Sequence, residues 1–105
     1  GLEHLALRNI TACNLAKQKL GEINTIAIPH STGTHFNEFI VELPASASDC
    51  LNYLDGVGII GGFDASRWYS NRKNWLLITV TDQTSAQEIE LLAAHIAVWS
   101  AGVIA

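Results

Sequence analysis

The chain has 105 residues, of which 49% are hydrophobic and 15% charged, and six Lys plus Arg against ten Asp plus Glu give a net charge of −4. A chain of that length fits one domain with a core of its own, and the composition excludes an intrinsically disordered tail. The basic residues are scattered along the sequence, which argues against nucleic-acid binding, and no apolar run nears the 18 or so residues of a membrane span.

Leu2, Leu5, Ala6, Ile10, Cys13, Ala16 and Leu20 fall mostly three or four positions apart, so residues 2 to 20 read as an amphipathic helix. Gly21 would close it in a left-handed turn. Ile23 to Ile28 is a short β-branched segment, and the turn chemistry of Pro29 to Thr34 predicts that it folds back on a strand over 35–43. Pro44 stops that strand, and Ser46 or Ser48 can cap a two-turn helix carrying Cys50, Leu51 and Leu54 before Gly56 ends it. Val57 to Ile60 is an apolar stretch read as a third strand, and Trp75 to Thr81 (WLLITVT) is the strongest strand signal in the chain. Thr84 or Ser85 can cap a last helix, whose Ile89, Leu92, Ala93, Ile96 and Trp99 form one stripe.

The resulting order is αββαββα. It predicts an α+β fold of two layers, an antiparallel sheet with its helices gathered on one face, and a single domain over residues 1–105. A ferredoxin-like module has a similar element count and is the alternative. The charged fraction is below the roughly 25% usual for soluble domains, so part of the apolar surface is expected to lie against a partner, and the isolated chain to self-associate. The sequence contains no Met, and its opening at GLEHLAL reads as a piece of a longer chain rather than as a signal peptide. A cytoplasmic protein is expected.

Few residues suggest chemistry. Cys13 and Cys50 lack metal or disulfide spacing and read as reduced thiols. His4, His30, His35 and His95 contain no pair four apart on one helix, so no metal site is predicted. In HFNEFIVELP, residues 35–44, alternation directs Phe39, Val41 and Leu43 to the core. Glu38, Ile40 and Glu42 then share the other face, a mixed surface suited to a protein partner. Asn37 is read as a capping or hydrogen-bonding residue. The glycines at 56, 58, 61 and 62 imitate a phosphate loop only superficially, because no strand leads into them. Asp64, Arg67, Trp68 and Tyr69 are residue types enriched where a surface meets a ligand or another protein.

HFNEFIVELP, GIIGGFDASRWY at 58–69, LLITVTD at 76–82 and the following TSAQEIELL together resemble the C-terminal region of the glycine cleavage system P-protein family, in its split-form subunit 1. The opening helix, residues 1–20, is similar to that family's segment joining the large and small domains. The resemblance implies the small C-terminal domain of a fold type I pyridoxal phosphate enzyme. The parent enzyme, glycine dehydrogenase (aminomethyl-transferring), would decarboxylate glycine and pass the aminomethyl group to the lipoyl arm of H-protein. By the same resemblance the cofactor lysine belongs to the companion P-protein subunit. Lys17, Lys19 and Lys73 match no cofactor context, so this chain is expected to hold neither cofactor nor catalytic residue and to be inactive alone. Relatives in the broader fold type use an arginine before the last strand for substrate carboxylate, where this chain reads Trp75, Leu76, Leu77, Ile78. Asn37, Glu38, Asp64 and Arg67 remain as interface or active-site-proximal candidates, with an Asp64–Arg67 pairing as the structural reading.

Overall fold

The computed structural model describes residues 2–29 and 37–104, with side chains from residue 11 onward. His30, His35, Phe36, most of the turn expected at Pro29 to Thr34 and the side chain of His4 lie outside the described residues. Among the described residues, three α-helices and three strands run in the order α1 (Leu2–Gly21), β1 (Glu38–Glu42), α2 (Ala47–Gly56), β2 (Phe63–Asp64), β3 (Trp75–Thr79) and α3 (Ala86–Ile104). A 3-10 turn at Ala65–Arg67 follows β2. The sheet order is β1-β3-β2, with both pairings antiparallel.

Helix boundaries follow from side-chain and backbone satisfaction. Asp49 N–H donates to Ser46 Oγ at 3.1 Å, so Ser46 is the cap that starts α2. At its other end Gly58 adopts φ +79° and donates to Asp55 C=O, while Ile59 N–H reaches Leu54 C=O at 2.9 Å. These two bonds close the helix with a left-handed glycine that satisfies its last carbonyls. Helix α3 begins with a reciprocal pair, Glu88 N–H to Ser85 Oγ at 3.0 Å and Ser85 N–H to Glu88 Oε1 at 3.3 Å.

The expected element order needs correction at two strands. Ile23 to Ile28 is not a strand: Ala27 alone bridges Glu42, through bonds of 3.0 and 2.7 Å, and β1 takes its ladder from β3 instead. Val57 to Ile60 is the exit from α2, and the strand between α2 and β3 is instead the two-residue β2, Phe63–Asp64. β-branched residues marked the first segment and apolar content the second, and neither alternates in the way a paired strand does. Gly21 is the last residue of α1 without a left-handed turn, whereas α2 ends at Gly56 as expected, with the left-handed Gly58 just beyond it.

The helices cover one face of the sheet. Cys13, Ala16 and Leu20 of α1, Cys50 and Leu54 of α2, and Ile89, Leu92, Ala93 and Ile96 of α3 pack on Phe39, Val41, Leu76 and Ile78. Burial of each such aliphatic or aromatic side chain stabilises by about 1.5–3 kcal/mol before chain entropy is counted. The segment after α1 is tied to α3 by a hydrogen bond between Thr25 and Ser100. Ser100 Oγ donates to Ala97 C=O at 3.2 Å, which leaves Thr25 as the donor in that bond. On the opposite face Ile40, Ala65 and Trp75 form a small separate cluster with Leu77 against it. Ile40 was expected on a partner surface and is instead buried, because the segment after β2 folds over it.

Candidate functional site: an edge groove and an exposed loop

Strand β2 is short because the backbone before it comes too close to β3 for a side chain. A Cβ at Gly62 would collide with the Leu77 carbonyl oxygen, and the residue sits at φ +135°. Only glycine fits there without strain. Past β2, the end of β3 is left beside a groove of about 480 Å³ lined by Ile60, Phe63, Thr79, Glu88 and Leu91, among others. Its apolar wall faces solvent, with Ile60 98%, Phe63 52% and Leu91 47% exposed. Monomers seldom leave such a contiguous apolar wall uncovered.

The four candidate residues are not brought together. Asn37 is half-buried and extends the β1–β3 ladder, its carbonyl accepting from Val80 N–H at 2.8 Å. Glu38 pairs with Thr79, whereas Asp64 pairs with Leu76 on the far side of β3. Two strand spacings across the sheet, about 9–10 Å, and three residues along β3, about 10 Å more, therefore separate their backbones. Asp64 Oδ1 accepts from Ser66 N–H at 2.9 Å and caps the 3-10 turn. Arg67 lies with its guanidinium 5.7 Å from the Trp68 ring centroid, and no Asp64–Arg67 ion pair forms among the described residues.

Titratable groups in the interior are structural. Cys13 and Cys50 are buried free thiols. Burial pushes both up, Cys50 to about 11, and at Cys13 the Lys17 charge offsets part of the effect. A neutral, buried thiol is a poor nucleophile. His95 Nδ1 lies 3.2 Å from Tyr53 Oη and joins α3 to α2. Among the described residues no group of three or more His, Cys, Asp or Glu could hold a metal ion. The lysines are surface groups: Lys17 Nζ stands 5.8 Å from the Phe39 ring centroid, Lys19 Nζ lies 3.9 Å from Glu90, and Lys73 borders an open hollow.

Sequence reasoning singled out Arg67, Trp68 and Tyr69 but passed over Ser70 to Lys73 beside them. Residues 67–73, RWYSNRK, are all exposed and hold three of the six basic residues with no acidic one. The basic residues are thus less scattered than the sequence suggested. Tyr69 meets Trp75 edge-on with centroids 5.1 Å apart, and Arg72 lies 4.8 Å from the same Trp75 ring.

This combination, a three-stranded antiparallel sheet with helices on one face and an open apolar edge, defines a small α+β domain of a kind found inside larger proteins. The structure superposes on a glycine decarboxylase (P-protein) of the glycine cleavage system, in inhibitor-bound form, with a TM-score of 0.78 at 21% identity over 92% of this chain and 22% of that one. A NifS-like protein matches at 0.73 and 17% identity, over 96% of this chain and 29% of that one. By sequence, the chain is a homologue of part of glycine dehydrogenase (decarboxylating) subunit 1. It is 37% identical over 93 residues to the probable subunit 1 of Geotalea daltonii, which is 89% of this chain and 21% of that protein. It is 36% identical over 99 residues to that of Maricaulis maris, covering 92% of this chain and 22% of the relative. The chain therefore spans about a fifth of the length of the curated relatives it matches. No family model matches the chain.

Proposed function

We propose that the chain is the small C-terminal domain of a glycine cleavage P-protein subunit and serves its architecture and subunit packing. The observation that carries this reading is the match of 89% of this chain to 21% of a glycine dehydrogenase subunit 1. The parent enzyme decarboxylates glycine and transfers the aminomethyl group to the lipoyl arm of H-protein. Its pyridoxal phosphate, which acts as electron sink when bound, is held by the companion subunit. The surface positions of Lys17, Lys19 and Lys73 support a cofactor held elsewhere. The apolar groove at Ile60, Phe63 and Leu91 is the packing face, and Glu38, Asn37, Asp64 and Arg67 act at or near contacts of the assembly. The place of work is the cytoplasm, and the chain on its own self-associates through the groove.

A chimera tests this reading. The matching segment of the Geotalea daltonii subunit 1 is replaced by this chain, co-expressed with the companion subunit and assayed with glycine and H-protein. Assembly and glycine-dependent carbon dioxide release are expected. A chimera that folds yet neither assembles nor turns over, beside an active natural pair, sinks the reading. Ile60→Asp with Phe63→Asp should abolish assembly while the circular dichroism of the chain is retained.

A further inference from the structure

The 67–73 loop is charged against the trend of the molecule. With Arg67, Arg72 and Lys73 it carries +3, while the remaining three basic and ten acidic residues leave −7 on the rest of the chain. Successive turns hold it compact: Trp68 and Tyr69 N–H both donate to Ala65 C=O, Arg72 N–H to Tyr69 C=O at 2.8 Å and Trp75 N–H to Arg72 C=O at 3.2 Å. Trp68 is 59% exposed and Tyr69 37%, unusual for aromatic groups unless something covers them. Glu42 and Asp64 are nearby carboxylates, and each accepts a hydrogen bond, from Trp75 Nε1 at 3.1 Å and Ser66 N–H at 2.9 Å. No carboxylate among the described residues lies within ion-pair distance of Arg67, Arg72 or Lys73. Beside the loop, Ser70, Asn71, Lys73 and Asn74 border an open hollow of about 620 Å³ that also reaches Ser46.

We propose that this loop is a docking surface for an acidic segment of a partner protein, with carboxylates meeting Arg67, Arg72 and Lys73 and apolar side chains covering Trp68 and Tyr69. Trp, Tyr and Arg are the residue types that dominate interface hot spots. The charge complementarity is local: a carboxylate-bearing peptide gains contact with the loop while the acidic remainder of the chain repels a longer polyanion. Three cations are also too few for nucleic acid, where affinity scales with the number of phosphates neutralised. The inference shares only Arg67 with the contacts proposed above and does not use the groove, so its failure leaves the groove and the enzyme reading in place.

Tryptophan fluorescence during titration of the chain with a deca-glutamate peptide at low ionic strength tests it. Saturable binding is expected, weakening with added salt and at least tenfold in an Arg67→Gln, Arg72→Gln, Lys73→Gln variant. Lys17→Gln with Lys19→Gln, which alters basic residues elsewhere, should leave it within twofold. No binding of the peptide, or equal binding by the folded triple variant, overturns the proposal. Binding of a ten-nucleotide oligothymidylate as tight as that of the peptide overturns it in favour of a general polyanion site. Should the triple variant fail to fold, the Arg67→Gln, Lys73→Gln pair, which spares the stack on Trp75, must still weaken binding at least threefold or the proposal falls.

Discussion

The two faces of the sheet are covered by different kinds of chain. On one face Phe39, Val41, Leu76 and Ile78 meet three helices, each supplying a periodic apolar stripe. On the other, Ile40 and Trp75 are covered by Ala65 and the irregular turn that carries it. The first cover is built from repeated spacing, and the second from one loop held by Asp64 and a run of backbone bonds. A periodic face advertises itself in sequence and distributes its stability over many residues, whereas a loop-covered face depends on a few special positions.

The largest effect should come from Phe39→Ala. Phe39 is 2% exposed and packs under the helices, so its removal should cost about 3–5 kcal/mol, a large part of a total stability of about 5–15. Thermal or urea melts of the chain measure it. Ile40→Ala, at a residue 1% exposed on the other face, should cost less, about 2–3 kcal/mol, because the covering loop can collapse into the space. Equal losses at the two sites would show the loop to be as rigid a wall as the helices.

Those expectations separate what could be read from the sequence from what could not. The stripes Cys13–Ala16–Leu20 and Ile89–Leu92–Ala93–Ile96, the Ser46 and Ser85 caps and the inward set Phe39, Val41 and Leu43 were legible because helix and strand periods are local properties. Ile23 to Ile28 misled because β-branched residues report burial beside a sheet as readily as membership in one. The burial of Ile40 was illegible, since its cover lies 25 residues away in a segment with no period. Of the candidate residues, Asp64 and Arg67 were marked by composition, and their separate roles as a turn cap and as a stack on Trp68 are set by the 3-10 turn.

Gly62→Ala probes the close approach that precedes β2. Left-handed backbone and the collision of a new methyl with Leu77 C=O should together cost about 1–3 kcal/mol and loosen the β2–β3 pairing. Amide hydrogen exchange should then quicken at Leu76 and Leu77 while the α1 and α3 amides near the core keep their protection. If protection is lost equally on both sides of the sheet, the loop-covered face is not a separate unit and the contrast between the faces disappears.

The smallest effect should be that of Glu38→Ala, and it sharpens the contrast most. Glu38 shares its face with Ile40, is half-buried at the start of β1 and pairs with Thr79 near the sheet's end. A carboxylate in that position, even one with a polar partner, contributes about 0.2–1 kcal/mol, because solvent screens it and ordering its side chain costs entropy. The melting midpoint should therefore move by a few degrees at most, far less than for Ile40→Ala two residues on. Two residues of one strand would then differ severalfold in cost although they share a face, because Ile40 lies under Ala65 and Trp75 while Glu38 lies beyond them. A Glu38→Ala loss equal to that of Ile40→Ala would extend the loop's cover to the end of β1 and remove Glu38 from the surface open to a partner.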